Sequence, residues 1–328
     1  MDKLVAQFPK QIADALEIAS RSELSFYKNK TFSNVVICGM GGSGIGGKMV
    51  PQLFADQAKL PIVLVQDYQI PSFVNENTLV IGSSYSGNTE ETLSAINQAN
   101  QKGATIVGVS SGGELVKFCK ENNYDYIKLP GGNPPRSMMA FSVIQLVNIL
   151  AKAEIIDANA LDAVAKCRHL LNDELMTIKA EAKKLAEHLF NKQAVFYANN
   201  DLEFVAIRAR QQINENSKRL CWHHVVPEMN HNELVGWAGG DNNFAVTFFI
   251  SQFISDRNAK RMELSKEIIG KRTENILSIN GKGKSKVEEA FYFIHLIDWA
   301  SLYLAELIGC DPVEVKVIDY LKSTLDKD

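Results

Sequence analysis

The chain is 328 residues long, 46% hydrophobic, and carries a formal net charge of -3. That length suits two α/β domains or one large one with a sizeable core. Acids and bases are interspersed with no basic stripe, which argues against a nucleic-acid surface.

The elements fall in a regular order. Residues 11–28 have the apolar spacing of a helix. From residue 34 short apolar strands alternate with helical runs. Strands are expected at 35–38, 62–66, 79–83, 105–110 and 126–129, with helices starting near Gly44, Thr89, Gly113 and Ser137. This alternation implies a parallel sheet flanked by helices. The pattern breaks at 154–159, and two helical runs follow, 160–171 and 173–190. Alternation then resumes with strands at 193–197, 221–225, 244–251 and 276–279 and helices at 202–217, 257–270 and 285–308. We therefore expect an α/β fold of two domains, 1–154 and 155–328. The apolar run 290–309 carries His295, Asp298 and Glu306, so it reads as a buried core helix and not a membrane span. The start of the chain shows no apolar signal segment. The five cysteines, Cys38, Cys119, Cys167, Cys221 and Cys310, are scattered and form no CxxC pair. They point to reduced, buried thiols and a cytoplasmic protein.

Two motifs suggest an anion. Residues 39–47 contain six glycines in nine positions between a strand and a helix. Such a turn allows close backbone approach, and the helix start favours negative charge. Gly39-Met-Gly41-Gly-Ser-Gly44 also satisfies G-x-G-x-x-G, with Asp67 near the end of the second strand, so a nucleotide-dependent oxidoreductase stays open here. So does a tight turn with no ligand. The second motif, Ser83-Ser84-Tyr85-Ser86-Gly87-Asn88-Thr89-Glu90-Glu91-Thr92, places three hydroxyls around a glycine at another helix start. A helix cap needs one hydroxyl. A phosphate monoester, with several acceptor oxygens on one phosphorus, suits a nest of hydroxyls and N–H groups.

Taken together, G-M-G-G-S-G-I-G-G and S-S-Y-S-G-N-T-E-E-T resemble the sugar isomerase (SIS) domain family, and within it the bifunctional phosphoglucose/phosphomannose isomerases. Further motifs follow in order: Gly131-Gly-Asn-Pro-Pro-Arg136, Asn214-Glu-Asn216, Pro227-Glu-Met-Asn-His-Asn-Glu233 and Asp311-Pro-Val-Glu-Val. The resemblance implies two SIS domains, each a parallel sheet between helices, and a homodimer. It implies interconversion of glucose 6-phosphate, and of mannose 6-phosphate, with fructose 6-phosphate through an enediolate. No cofactor is needed, because a proton only moves within the substrate. Gly42, Ser43, Ser84, Ser86 and Thr89 would hold the phosphate.

The resemblance also assigns the chemistry. Glu215 matches the base that moves the proton between C1 and C2, and its flanking asparagines offer donors to orient it. His231 matches the ring-opening histidine, supplied across the dimer interface in related isomerases. Arg136, behind two prolines, would stabilise the enediolate, and Lys322 corresponds to a C-terminal active-site lysine. The epimer-selecting residue would lie near 313–316. The adjacent pair His223 and His224, with Glu228 or Glu233, raises a metal reading, but strand neighbours face opposite ways, so no metal is expected. The alternative is a non-catalytic phosphosugar-binding sensor, which would not need both Glu215 and His231.

Overall fold

The structure is a computed structural model that describes residues 1–325. In chain order the helices and strands are α1 (Asp2–Ala6), α2 (Phe8–Arg21), β1 (Asn34–Cys38), α3 (Gly41–Leu53), β2 (Ile62–Val65), β3 (Thr78–Ser83), α4 (Glu90–Gln101), β4 (Thr105–Ser110), α5 (Gly113–Glu121), β5 (Asp125–Lys128), α6 (Met139–Lys152), α7 (Ala160–Asp173), α8 (Leu175–Leu189), β6 (Gln193–Asn199), α9 (Glu203–Ser217), β7 (Cys221–Val226), α10 (Glu233–Gly236), β8 (Phe244–Ile250), α11 (Asp256–Gly270), β9 (Ile276–Asn280), α12 (Lys286–Ile308) and α13 (Lys316–Leu325). They form two compact units. One holds Ala6–Asn172 and Gly283–Glu288; the other holds Met1–Val5, Asp173–Lys282 and the chain from Glu289 onward.

The first unit is built on a five-stranded sheet in the order β2-β1-β3-β4-β5. Every pairing is parallel, with Val36 opposite both Val63 and Val80. Strands β3 and β4 are buried at every position, as expected of a sheet covered on both faces. From β1 the chain steps to β2 on one side and then to β3 on the other. The carboxyl ends of β1 and β3 therefore flank a topological switch point, where open α/β sheets bind ligands. The glycine-rich turn follows β1 and the serine-rich loop follows β3, so the switch point carries both motifs.

The first long helix differs from the expected 11–28. It begins at Phe8, with Pro9 in its first turn where a missing N–H costs nothing. It ends at Arg21, and the following backbone is caught by a side chain of β5: Phe26 N donates to Asp125 Oδ2 at 2.7 Å.

The second unit repeats the plan with four parallel strands in the order β7-β6-β8-β9. Its switch point lies between β6 and β8. There a side chain occupies the loop after β8: Glu289, fully buried, accepts from Ser251 Oγ and from Gln252 N at 2.8 Å. Burial pushes the Glu289 carboxyl above the usual carboxylate range, against those hydrogen bonds. Helix α12 is long and apolar enough to cross a membrane by length and composition, yet 78% of its most apolar window is buried inside the protein. Within it, Asp298 receives Arg208 Nε at 3.0 Å, Arg208 Nη2 at 2.9 Å and Gln212 Nε2 at 2.7 Å. All three side chains are buried. The cysteine thiols are all unbridged. Burial pushes Cys38 and Cys221 up to about 12 and Cys119 to about 11, which keeps them as unreactive thiols.

Candidate active site

The two glycine motifs meet through hydroxyls. Ser43, in the first turn of α3, accepts a hydrogen bond from Tyr85 N at 3.1 Å. Ser84 Oγ lies 2.8 Å from Thr89 Oγ1 and accepts from Gly87 N at 3.1 Å. Ser86 Oγ accepts from Asn88 N at 3.3 Å. Ser43 and Ser84 are buried, Thr89 is half-buried and Ser86 is exposed, so the hydroxyls run from the protein interior to solvent.

Thr89 is the residue ahead of α4, but its hydroxyl makes no capping bond to that helix. It faces Ser84 instead. Met40 ahead of α3 supplies no side-chain cap either. Two adjacent helix starts thus keep first-turn N–H groups without side-chain acceptors, around a cluster of hydroxyls. An oxyanion satisfies both at once.

Not every glycine in 39–47 serves ligand approach. A Cβ at Gly46 would press on Val143, and one at Gly47 would meet Leu64 and Ile37. These two allow α3 to pack closely. Gly42 has a different role: a Cβ there would lie 3.1 Å from the Pro135 carbonyl and 3.3 Å from Arg136 N. Its absence lets the Pro135 turn seat against the start of α3. Arg136, in a short 3-10 turn, is thereby brought beside the hydroxyl cluster's helix, and it is buried.

The serine-rich loop is itself clamped by the turn into α5. Asn88 Oδ1 accepts from Glu114 N at 2.9 Å, and Gly87 O accepts from Leu115 N at 2.9 Å. Ser111 holds Tyr85 O through its N–H at 3.0 Å and its Oγ at 2.7 Å. Gly87 has φ +78, in the left-handed region. Asn88 was not singled out from the sequence, although an asparagine ahead of a helix is a recognisable capping signal. Here it caps a different helix from the one it precedes. Asp67, the acid a dinucleotide would need, lies exposed beyond β2 and accepts from its neighbour Tyr68 N at 2.6 Å.

The remaining candidates belong to the second unit. Glu215 is half-buried near the end of α9. Each asparagine beside it has a partner of its own. Asn214 Nδ2 donates to Arg219 O at 2.7 Å, and Asn216 Nδ2 donates to Ser301 Oγ at 2.9 Å. Helix geometry explains this, since consecutive residues point about 100° apart. His231 is exposed, in a 3-10 turn after β7. Lys322 lies on α13, none of whose side chains is buried. His224 Nδ1 accepts from Val225 N at 2.7 Å. Among the described residues, no group of three or more His, Cys, Asp or Glu could hold a metal ion.

Comparison with known proteins fits this geometry. The SIS domain family matches residues 29–124, and the bacterial phospho-glucose isomerase C-terminal SIS domain family matches 178–325. A bifunctional phosphoglucose/phosphomannose isomerase of Caldicellulosiruptor bescii is 36% identical, over 99% of this chain and 98% of the relative. The chain belongs to the bifunctional phosphoglucose/phosphomannose isomerase family. Members from Aquifex aeolicus (34% identical, 90% of this chain and 91% of the relative) and Thermoplasma volcanium (33%, 97% and 99%) agree. Two solved structures show the same fold at low identity. The C-terminal domain of glucosamine-fructose-6-phosphate aminotransferase from Francisella tularensis has TM-score 0.76 at 15% identity, covering 96% of this chain and 97% of that one. Tagatose-6-phosphate ketose/aldose isomerase from Escherichia coli has TM-score 0.69 at 15% identity, covering 95% of each. As a phosphoglucose/phosphomannose isomerase family member, the chain has the two SIS domains that its two parallel sheets describe.

Proposed function

We propose that the protein interconverts glucose 6-phosphate and mannose 6-phosphate with fructose 6-phosphate, as an aldose–ketose isomerase. The observation that carries the reading is the hydroxyl cluster of Ser43, Ser84, Ser86 and Thr89 at two uncapped helix starts, in a chain related along nearly its whole length to enzymes named for this activity. Gly42 and these hydroxyls hold the phosphate and fix the sugar's unreactive end. Binding energy gained there orients the reacting carbons.

His231 opens the ring by protonating the ring oxygen as the bond from C1 to that oxygen breaks and the C1 hydroxyl gives up its proton to become the aldehyde. Glu215 takes the proton from C2 of the open aldose, and the electron pair moves toward the C1 carbonyl to give the enediolate. Glu215 then returns the proton to C1 while the C2 hydroxyl proton passes to O1, so that the C2–O bond becomes the carbonyl of the ketose. Arg136 stabilises the developing oxyanion, and Lys322 adds a second cation. No electrons leave the substrate, so the reaction needs no redox cofactor. We place the enzyme in the cytoplasm as a homodimer in which His231 serves the partner's substrate; its exposure supports that reading. The net charge of -3 supports free sugar phosphates as substrates ahead of nucleic acid.

The test is direct. Initial rates of fructose 6-phosphate formation from glucose and mannose 6-phosphates should both be measurable without added nucleotide or metal. Binding of both sugars with no turnover would instead establish the non-catalytic sensor.

A further inference from the structure

We propose that Glu233 is a positioning residue for His231, pinned in place by Tyr197 and Trp222. The inference rests on the ring-opening role given to His231 above.

Side chains from two strands of the second unit converge on one carboxylate oxygen, and a third supports one of them. Tyr197, fully buried in β6, donates its hydroxyl to Glu233 Oε1. Trp222 in β7 donates Nε1 to the same oxygen at 3.2 Å. Trp237, in the turn after α10, donates Nε1 to Tyr197 Oη at 2.9 Å. Glu233 opens α10. Among the described residues no lysine or arginine pairs with Glu233; its side-chain partners are neutral donors. A surface glutamate normally faces water or a cation. Collecting a buried phenol and an indole on one carboxylate fixes the glutamate far more tightly. Burial, with the Glu233 charge close by, pushes the Tyr197 hydroxyl above its ordinary range. It therefore remains a donor at every working pH.

The chain between β7 and α10 is held on both sides of His231. Upstream, Met229 is fully buried, and Asn230 Nδ2 donates to Ser265 Oγ at 2.8 Å. Downstream, Asn232 Oδ1 accepts from Glu233 N, and Asn232 Nδ2 donates to Glu228 Oε1 at 2.8 Å. The exposed histidine lies between these anchors. Its backbone is fixed, which leaves only its own rotamers to set where the imidazole lies. Releasing the Glu233 side chain frees the start of α10, on whose main-chain N–H Asn232 is anchored, and lets the ring drift. A misplacement of about 1 Å in a reacting group can cost up to about 100-fold.

The test uses the full-length enzyme and two substrates, a ring-closed hexose 6-phosphate and an open-chain analogue that cannot cyclise. Glu233→Ala should lower kcat on the ring-closed substrate by about 10- to 100-fold. KM should change little, and turnover of the open-chain analogue should be nearly untouched. Glu233→Gln keeps an oxygen acceptor for Tyr197 and Trp222, so it should recover most of the rate. Tyr197→Phe, which leaves the core volume intact, should fall between them. In a His231→Ala background Glu233→Ala should cost nothing further. Equal losses with and without His231, or equal losses on the two substrates, would mean a general structural role and overturn the proposal. If His231→Ala slows the ring-closed substrate while Glu233→Ala does not, this inference alone fails. If His231→Ala leaves the ring-closed rate unchanged, the ring-opening assignment fails and this inference with it.

Discussion

Gly87→Ala tests the phosphate loop at its most constrained point. An added Cβ would sit 1.8 Å from Gly112 O, 2.7 Å from Gly112 C and 2.8 Å from Ser110 Oγ. Non-bonded heavy atoms settle at roughly 3.5 Å, so the loop and the turn into α5 must part by roughly 1.5 Å. The φ of +78 adds about 1 kcal/mol for any residue with a Cβ. Separation also breaks the Leu115 N to Gly87 O bond and the Glu114 N to Asn88 Oδ1 bond, each contributing about 1 kcal/mol net. The expected loss is about 3 kcal/mol in denaturant unfolding. The functional loss should be comparable: displacing the loop removes one or two charge-assisted hydrogen bonds to phosphate, about 3 kcal/mol or about 100-fold in affinity. The assay is competitive inhibition by inorganic phosphate together with KM for glucose 6-phosphate. A folded variant with wild-type KM and phosphate inhibition would refute the assignment of this loop to the phosphate.

Three further outcomes are expected. Glu215→Gln should lose at least about 100-fold in kcat while phosphate inhibition persists; near-normal turnover would remove Glu215 from the chemistry. Arg208→Met removes the cation from the buried Asp298 carboxylate and leaves it the Gln212 amide as a donor, and should cost about 3–5 kcal/mol in denaturant unfolding. A loss below 1 kcal/mol would show that the pair behaves like a solvated one. His295 is fully buried, and burial lowers it to about 4 from 6.5, against a hydrogen bond to Val5 O. The unfolded chain therefore binds this proton first on acidification. The contribution is complete above about pH 6.5 and is lost as pH falls toward 4, by up to about 3 kcal/mol. Urea midpoints measured across that window should slope less in His295→Leu; an unchanged slope would contradict it.

The parallel sheets were legible because their strands are short apolar runs punctuated by glycine, serine and asparagine. Ser84, Ser86 and Thr89 were legible because hydroxyls cluster at one helix start. What escaped were side chains whose partners lie far along the chain. Asn216 turns to Ser301, 85 residues away. Tyr197 reads as a core aromatic, and its partner lies 36 residues away. Glycine density was over-read for a related reason: the packing partners of Gly46 and Gly47 come from α6 and from β1 and β2, which local sequence does not place beside them. Helix α13 lies beyond the last helix expected from the sequence, 285–308.

Glu289 gives the second sheet a buried carboxyl group at its switch point. Its carboxylate collects a serine hydroxyl and a main-chain N–H from the loop after β8, the strand that holds in this sheet the place β3 holds in the first. The loop after β8 is thus held by a carboxyl group from a distant helix, whereas the loop after β3 is held by its own hydroxyls and by main-chain bonds.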